Sequence, residues 1–151
     1  MSVIFRSSKL YGHELGLSCA FRQWKAESHC RFLHGYAMAV KLYFEAAELD
    51  AFNWVIDFGG LKEFKAQLVG LLDHKTLVAA DDPEAPLFHV LHTAGVIDMV
   101  LVKATGCEAL AELVFNMATD WLQQAGHAPR VRVASVEILE HGANSAMVIP
   151  A

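Results

Sequence analysis

Leu15, Leu17, Cys19 and Phe21 alternate with Gly16, Ser18, Ala20 and Arg22, the two-residue period of a strand buried on one face. Residues 3–24 read as extended overall, with Gly12 and Gly16 marking a bend or bulge. The polar stretch from Trp24 to Ser28 reads as a loop. A second strand is expected from His34 to about Glu48, pairing with the first as a long antiparallel hairpin. The period then changes. Leu61, Phe64, Leu68, Leu71 and Leu72 recur at helical spacing behind Asp57, a suitable N-cap, and that helix should end near Leu72. A short helix over 84–93, with Leu87, Val90, Leu91 and Ala94 as its apolar face, closes at Gly95. The β-branched run 96–103 predicts a strand. A second long helix opens at Glu108, buries Leu110, Val114, Met117, Trp121 and Leu122, and stops at Gly126. Two final strands, Arg130 to His141 and Ser145 to Ile149, flank Gly142-Ala143-Asn144, which has turn chemistry. Antiparallel strands with helices on one face predict the α+β class.

Composition narrows the reading. A chain of 151 residues fits one domain over 1–151, since domains commonly hold ~100–150 residues. The hydrophobic fraction of 54% and mean hydropathy of +0.31 exceed what one small core needs, so part of the apolar surface is expected to close an interface between copies of the chain. A net charge of −5 with no dense Lys/Arg run argues against a nucleic-acid binder. No apolar run approaches the ~20 residues that span a bilayer, and the N-terminus lacks a signal-peptide pattern. A cytoplasmic protein without a membrane partner is expected. Three cysteines, Cys19, Cys30 and Cys107, cannot form a disulfide framework. Cys19 and Cys107 have small-residue surroundings and read as buried hydrophobes.

Candidate chemistry concentrates in Ser28-His29-Cys30-Arg31-Phe32-Leu33-His34-Gly35-Tyr36. Cys30 is either a base or nucleophile with a lowered pKa or a plain loop thiol. His34 and Tyr36 share a strand face, as a packed pair or with His34 as a metal ligand. Asp73-His74 follows a helix end, where a carboxylate could fix the tautomer of an acid–base imidazole. Glu140, at the end of an apolar strand, is either exposed or able to grip a guanidine-like edge through two hydrogen bonds. His89 and His92, three apart, read as solvent-facing in preference to a metal pair.

Taken together, these segments resemble the 6-pyruvoyl-tetrahydropterin synthase / 6-carboxytetrahydropterin synthase family from about Leu15 to Val148. Cys30 stands four residues before His34, as in the Cys-x-x-x-His-Gly-His motif of the bacterial carboxy-pterin branch. Val55-Ile56-Asp57-Phe58-Gly59-Gly60-Leu61-Lys62, Leu72-Asp73-His74-Lys75-Thr76-Leu77 and Val136-Glu137-Ile138-Leu139-Glu140 are similar to family segments. Thr105-Gly106-Cys107-Glu108 falls where the family has Pro-Thr-x-Glu. The resemblance implies a tunnelling fold, with two antiparallel hairpins forming a four-stranded sheet and two long helices on one face. It implies homo-oligomers (trimers or hexamers) with sites between subunits, and a reduced pterin such as 7,8-dihydroneopterin triphosphate as substrate for a lyase. By the same resemblance Cys30 is the base, Asp73 and His74 the proton relay, Glu140 the ring anchor, Glu108 a further substrate contact and zinc the metal. Of the three zinc-histidine positions only His34 is retained. Phe21 and Tyr36 stand at the other two, and one histidine cannot make the three-ligand open site of a catalytic zinc. Three outcomes are compatible with this. A metal could be rebuilt from His34 with His13 or His29. A metal-free lyase could use Cys30, Asp73 and His74 with Tyr36 as an oxyanion donor. A non-catalytic pterin- or purine-binding protein is the third.

Overall fold

The computed structural model describes residues 1–151. Its centre is one long strand, β3 (His34–Ala46), whose two halves take different partners on one edge. The first half pairs antiparallel with β2 (Leu17–Phe21), setting Leu17 opposite Met38 and Phe21 opposite His34. The second half pairs antiparallel with β1 (Phe5–Tyr11), setting Tyr11 opposite Val40 and Phe5 opposite Ala46. The expected bend is therefore real. A one-turn 3-10 segment, His13–Leu15, interrupts what would be a single strand. On its other edge β3 pairs with β6 (Val131–His141), which turns back into β7 (Asn144–Val148).

Two hairpins thus form the body of the sheet as expected, but the sheet has seven strands, not four. Breaking the first strand frees β2 to take a parallel neighbour, β4 (Lys75–Ala79), and β4 takes β5 (Met99–Val102), also in parallel. β5 lies within the predicted apolar run. β4 was not expected, because Lys75-Thr76-Leu77-Val78-Ala79 is too short to show alternation and follows directly on a helix. Thr76, Leu77, Val78 and Ala79 are all buried, the pattern of a parallel strand covered on both faces.

Helices α1 (Lys62–Leu72) and α3 (Cys107–Gln124) cover one face of the sheet. Leu61, Phe64, Leu68, Leu71 and Leu72 are all buried, as the spacing predicts. Asp57 caps a 3-10 turn leading into α1, accepting the Gly59 N–H at 2.8 Å. On α3, Leu110, Val114, Trp121 and Leu122 are buried and Met117 is partly so. The two helices meet through the Phe64 and Trp121 rings, 5.9 Å apart. The short helix α2 (Ala85–Thr93) departs from expectation. Phe88 is its buried residue, while Leu87 and Val90 face outward. A nine-residue helix can dock through a single bulky ring, and its apolar content then says little about which face is inward.

The open face of the sheet carries polar residues. Glu45, only 5% exposed, lies between Arg6 on β1 and Arg132 on β6 and is paired with both. A buried carboxylate is tolerated when such partners satisfy it. No helix is long and apolar enough to cross a membrane.

Phe64→Ala removes a fully buried ring and should cost about 3–5 kcal/mol in urea unfolding. Val90→Ala, on the outward face of α2, should stay within about 0.5 kcal/mol.

Candidate active site

The stretch around Cys30 is built by hydrogen bonds to its own backbone and to the end of β2. Ser28 Oγ accepts the Cys30 N–H at 3.4 Å and starts a 3-10 turn over His29–Arg31. The Gln23 N–H donates to Cys30 O at 2.9 Å, fixing that turn against the residues that follow β2. Arg22 adds a second tie. Its Nε and Nη2 grip the Asp82 carboxylate at 2.8 and 2.6 Å, and its Nη1 reaches Arg31 O at 3.4 Å. The Asp82 side chain is 1% exposed, and the hydrogen bond from Arg22 holds its carboxyl below the usual range. The acidic turn 81–86, unremarkable in sequence, is therefore an anchor for the cysteine loop.

The same end of β2 receives the start of α3. Thr105 Oγ1 donates to Arg22 O at 2.7 Å. Gly106, at φ 110°, lies so close to Gln23 that a Cβ would sit 2.7 Å from its Nε2. Glycine is the residue that both adopts that backbone and leaves that space. Cys107 and Glu108 then begin the helix.

Four rings follow one another across the helix-covered face at this corner. The Phe21 and His34 centroids are 6.1 Å apart, His34 and Tyr36 5.5 Å, and Tyr36 and His141 5.9 Å. The pairing of β2 with β3 brings Phe21, His34 and Tyr36 together. Gly35 makes this possible: a Cβ there would lie 2.5 Å from Cys19 O on the neighbouring strand.

Glu140 and His141 reach the corner through a β-bulge. Leu139 pairs with Ser145 and His141 with Asn144, leaving Glu140 as the extra residue, and a bulge of this kind re-aims side chains. Desolvation first, then the charges of Glu140, Cys30 and Cys107, raise the pKa of Tyr36. Burial first, then the charges of Glu140 and Glu108, push the Cys107 thiol up to about 12. Tyr36 thus feels the charges of Cys30 and Glu140, and Cys107 those of Glu140 and Glu108.

Cys107 is buried, as expected, whereas His141 was not anticipated at this corner. The signal for His141 needed the bulge, since strict alternation sends it to the opposite face from Glu140.

Asp73 and His74 lie elsewhere. His74 Nδ1 is 2.7 Å from Asp73 Oδ1, the His74 ring is 85% exposed, and its backbone sits at φ 57°. That left-handed conformation is uncommon for a histidine and is a form of strain found at functional positions. The His74 N–H donates to Ser18 O at 2.7 Å, which places the pair beside the start of β2. Cys30 adjoins Gln23, five residues further on, or about 16 Å of strand. One chain does not bring the Asp-His pair to Cys30.

A zinc site does not fit these residues. Phe21 offers a phenyl ring and Tyr36 a phenol at two of the three positions, and His34 Nδ1 is 2.7 Å from Phe32 O. His13 has its Nδ1 at 2.5 Å from Ala37 O. His29 is exposed on the cysteine loop. No three His, Cys, Asp or Glu side chains are grouped to hold a metal. His89 is exposed on α2, and His92 Nδ1 accepts the Met99 N–H at 3.1 Å.

A curled mixed sheet under two long helices is the fold of the pterin synthases. Residues 13–150 match the family model described as 6-pyruvoyl tetrahydropterin synthase, and the chain belongs to that family. It is 26% identical over 133 residues to the 6-carboxy-5,6,7,8-tetrahydropterin synthase of Aquifex aeolicus, covering 87% of this chain and 82% of that one. Its fold is similar to that of an uncharacterized protein from Wolinella succinogenes, with a TM-score of 0.83, 23% identity, and coverage of 99% and 100%. It is also similar to a catalytic-residue mutant of 6-pyruvoyltetrahydropterin synthase from Plasmodium vivax, with a TM-score of 0.69, 18% identity and 97% coverage of both chains.

Gly35→Ala should force β2 and β3 apart at the ring cluster and cost about 1–3 kcal/mol of stability, read by thermal and urea unfolding. The thiols give a second check. Burial also pushes Cys19 up to about 12, while a thiol in the unfolded chain ionises near ~8.5. Their stabilising contribution is complete below the ordinary thiol range and is lost as pH rises toward 12. Stability should fall progressively above about pH 9, and less steeply in Cys19→Ala and Cys107→Ala.

Proposed function

We propose that this protein is a pterin-modifying lyase acting on 7,8-dihydroneopterin triphosphate or a related reduced pterin. The observation that carries the reading is the corner where Phe21, His34, Tyr36 and His141 follow one another, with the pKa of Tyr36 shifted upward by desolvation first and then by the charges of Glu140 and Cys30. Glu140 holds the pterin by accepting two hydrogen bonds from its guanidine-like edge, with Glu108 as a second contact. Cys30 takes the proton of the side-chain hydroxyl next to the bond that breaks. The electrons of that carbon–carbon bond pass to the ring-side carbon, which is protonated in turn. Tyr36 donates its O–H to the oxygen on which negative charge develops. His74, with its tautomer fixed by Asp73, relays protons. Because the Asp-His pair lies away from Cys30 in one chain, a second copy supplies it, and the working unit is a homo-oligomer. This also accounts for the apolar surface left exposed on the single chain, including Phe32, Leu33 and Leu101.

The test is turnover of 7,8-dihydroneopterin triphosphate in the presence of a chelator. Cys30→Ala and His74→Ala should each lower kcat by about 100-fold or more, and Glu140→Ala should weaken pterin binding. Unchanged turnover in the first two variants removes this mechanism. Binding without turnover, still weakened by Glu140→Ala, identifies a pterin-binding protein instead of a lyase.

A further inference from the structure

No residue from Lys25 to Leu33 is buried, so the turn that carries Cys30 has no apolar core of its own. Its place must come from polar ties, and these converge on Arg22. One peptide unit makes the main tie. The Arg22 carbonyl accepts the Thr105 hydroxyl at 2.7 Å, and the N–H of the same unit, that of Gln23, donates to Cys30 O at 2.9 Å. The unit is planar, so its C=O and N–H turn together. Tilting it would loosen the Cys30 turn and the start of α3 at once.

The Arg22 side chain fixes the residue that carries this peptide. Its fork meets Asp82 with two hydrogen bonds, at 2.8 and 2.6 Å, and the Asp82 side chain is 1% exposed. Asp82 Oδ1 also accepts the Glu84 N–H at 2.8 Å, which holds the carboxylate within its own turn. Arg22 cannot move away without leaving that buried charge unpaired. Two-point pairing also fixes the plane of the guanidinium, which a lysine ammonium would not do. Nη1 is left to reach Arg31 O at 3.4 Å, one residue past Cys30. The neighbouring pair Lys25–Asp81 spans the same two segments, but its side chains are 71% and 53% exposed, and exposed pairs contribute little.

We propose that Arg22, locked by Asp82, is a positioning residue for Cys30, holding the Arg22–Gln23 peptide and Arg31 O so that the thiol keeps one place. The proposal rests on the reading of Cys30 as the base of the reaction. Placement of a proton-transfer group governs rate, since a shift of about 1 Å can cost on the order of 100-fold.

Native thiol alkylation and turnover together test it. Cys19 and Cys107 are only 2% and 8% exposed, so iodoacetamide reports on Cys30, with Cys30→Ala as the blank. Arg22→Lys keeps a cation for Asp82 but loses the two-point grip and the contact with Arg31. With urea unfolding showing the variant native, alkylation should become roughly threefold faster or more as the turn loosens. In the same variant kcat on 7,8-dihydroneopterin triphosphate should fall by roughly 10- to 100-fold, with KM changed by less than about twofold. Asp82→Asn, which removes one acceptor from the fork, should act in the same direction and serves if Arg22→Lys does not fold. Lys25→Ala should change neither readout.

A purely structural role would lower the urea midpoint and leave alkylation and kcat of the native variants at wild-type values. That result overturns the proposal, and a turn held instead by a neighbouring copy through the exposed Phe32 and Leu33 would give it too. The reading beneath the proposal fails separately. If the wild type does not turn over the pterin, or Cys30→Ala turns it over unchanged, Cys30 is not the base. Alkylation alone then decides whether Arg22 sets the place of the thiol.

Discussion

The pairing of β3 with three other strands is the constraint from which the rest of the molecule follows. β2 and β1 share one edge of it and β6 takes the other. Side chains alternate along a strand, so one register decides every face at once. Met38, Val40, Leu42 and Phe44 then enter the core, and Glu45 meets Arg6 and Arg132. A slip of one residue would turn the apolar series toward the open face and push Glu45 under the helices without its arginines. Burying an unpaired carboxylate is far more costly than losing one apolar contact. The apolar stripe and the buried glutamate therefore specify the same alignment in different ways. That alignment is what sets Phe21 opposite His34.

How much of this was legible follows from the length of each signal. α1 and α3 repeat their apolar spacing over several turns, and the residues expected inside are inside. The hairpins are long and end in turn chemistry, so they too could be read. β4 is five residues long and buried on both faces, which removes the alternation that would reveal it. α2 was placed correctly along the chain but turned the wrong way, because nine residues hold too few repeats to fix a face. The strand break after Tyr11 was marked by glycines. Its effect, freeing β2 for a parallel neighbour, depends on residues more than fifty positions away.

The corner site was legible in part for the same reason. Tyr36 and Glu140 sit on strands whose registers the apolar pattern determines, and the charge of Glu140 reaches Tyr36. His141 required the bulge, and the role of Asp82 required its partner Arg22, sixty residues earlier. The Asp73-His74 pair is local in sequence and local in structure, but its distance from Cys30 follows from the parallel pairing of β4, which the sequence did not announce. The ring series Phe21, His34, Tyr36 and His141 is an aromatic cluster with no group of three metal-binding side chains. The scaffold and the chemistry it presents are separable here, because the scaffold is set by backbone pairing and the chemistry by the side chains it carries.

The bulge at Glu140 has a consequence for how this family can change. In a regular strand neighbouring residues serve opposite faces, so one added residue reverses the parity of all that follow it. Between Leu139 and Asn144 the extra residue allows Glu140 to reach the corner while His141 reaches it too. Deleting one residue from that turn would restore strict alternation and send one of the two to the open face, with no change in the remaining side chains. Spacing is inherited through insertions and deletions, not substitutions. A chain one residue shorter here would keep its fold, its core and nearly all of its composition, yet present a different surface at this corner.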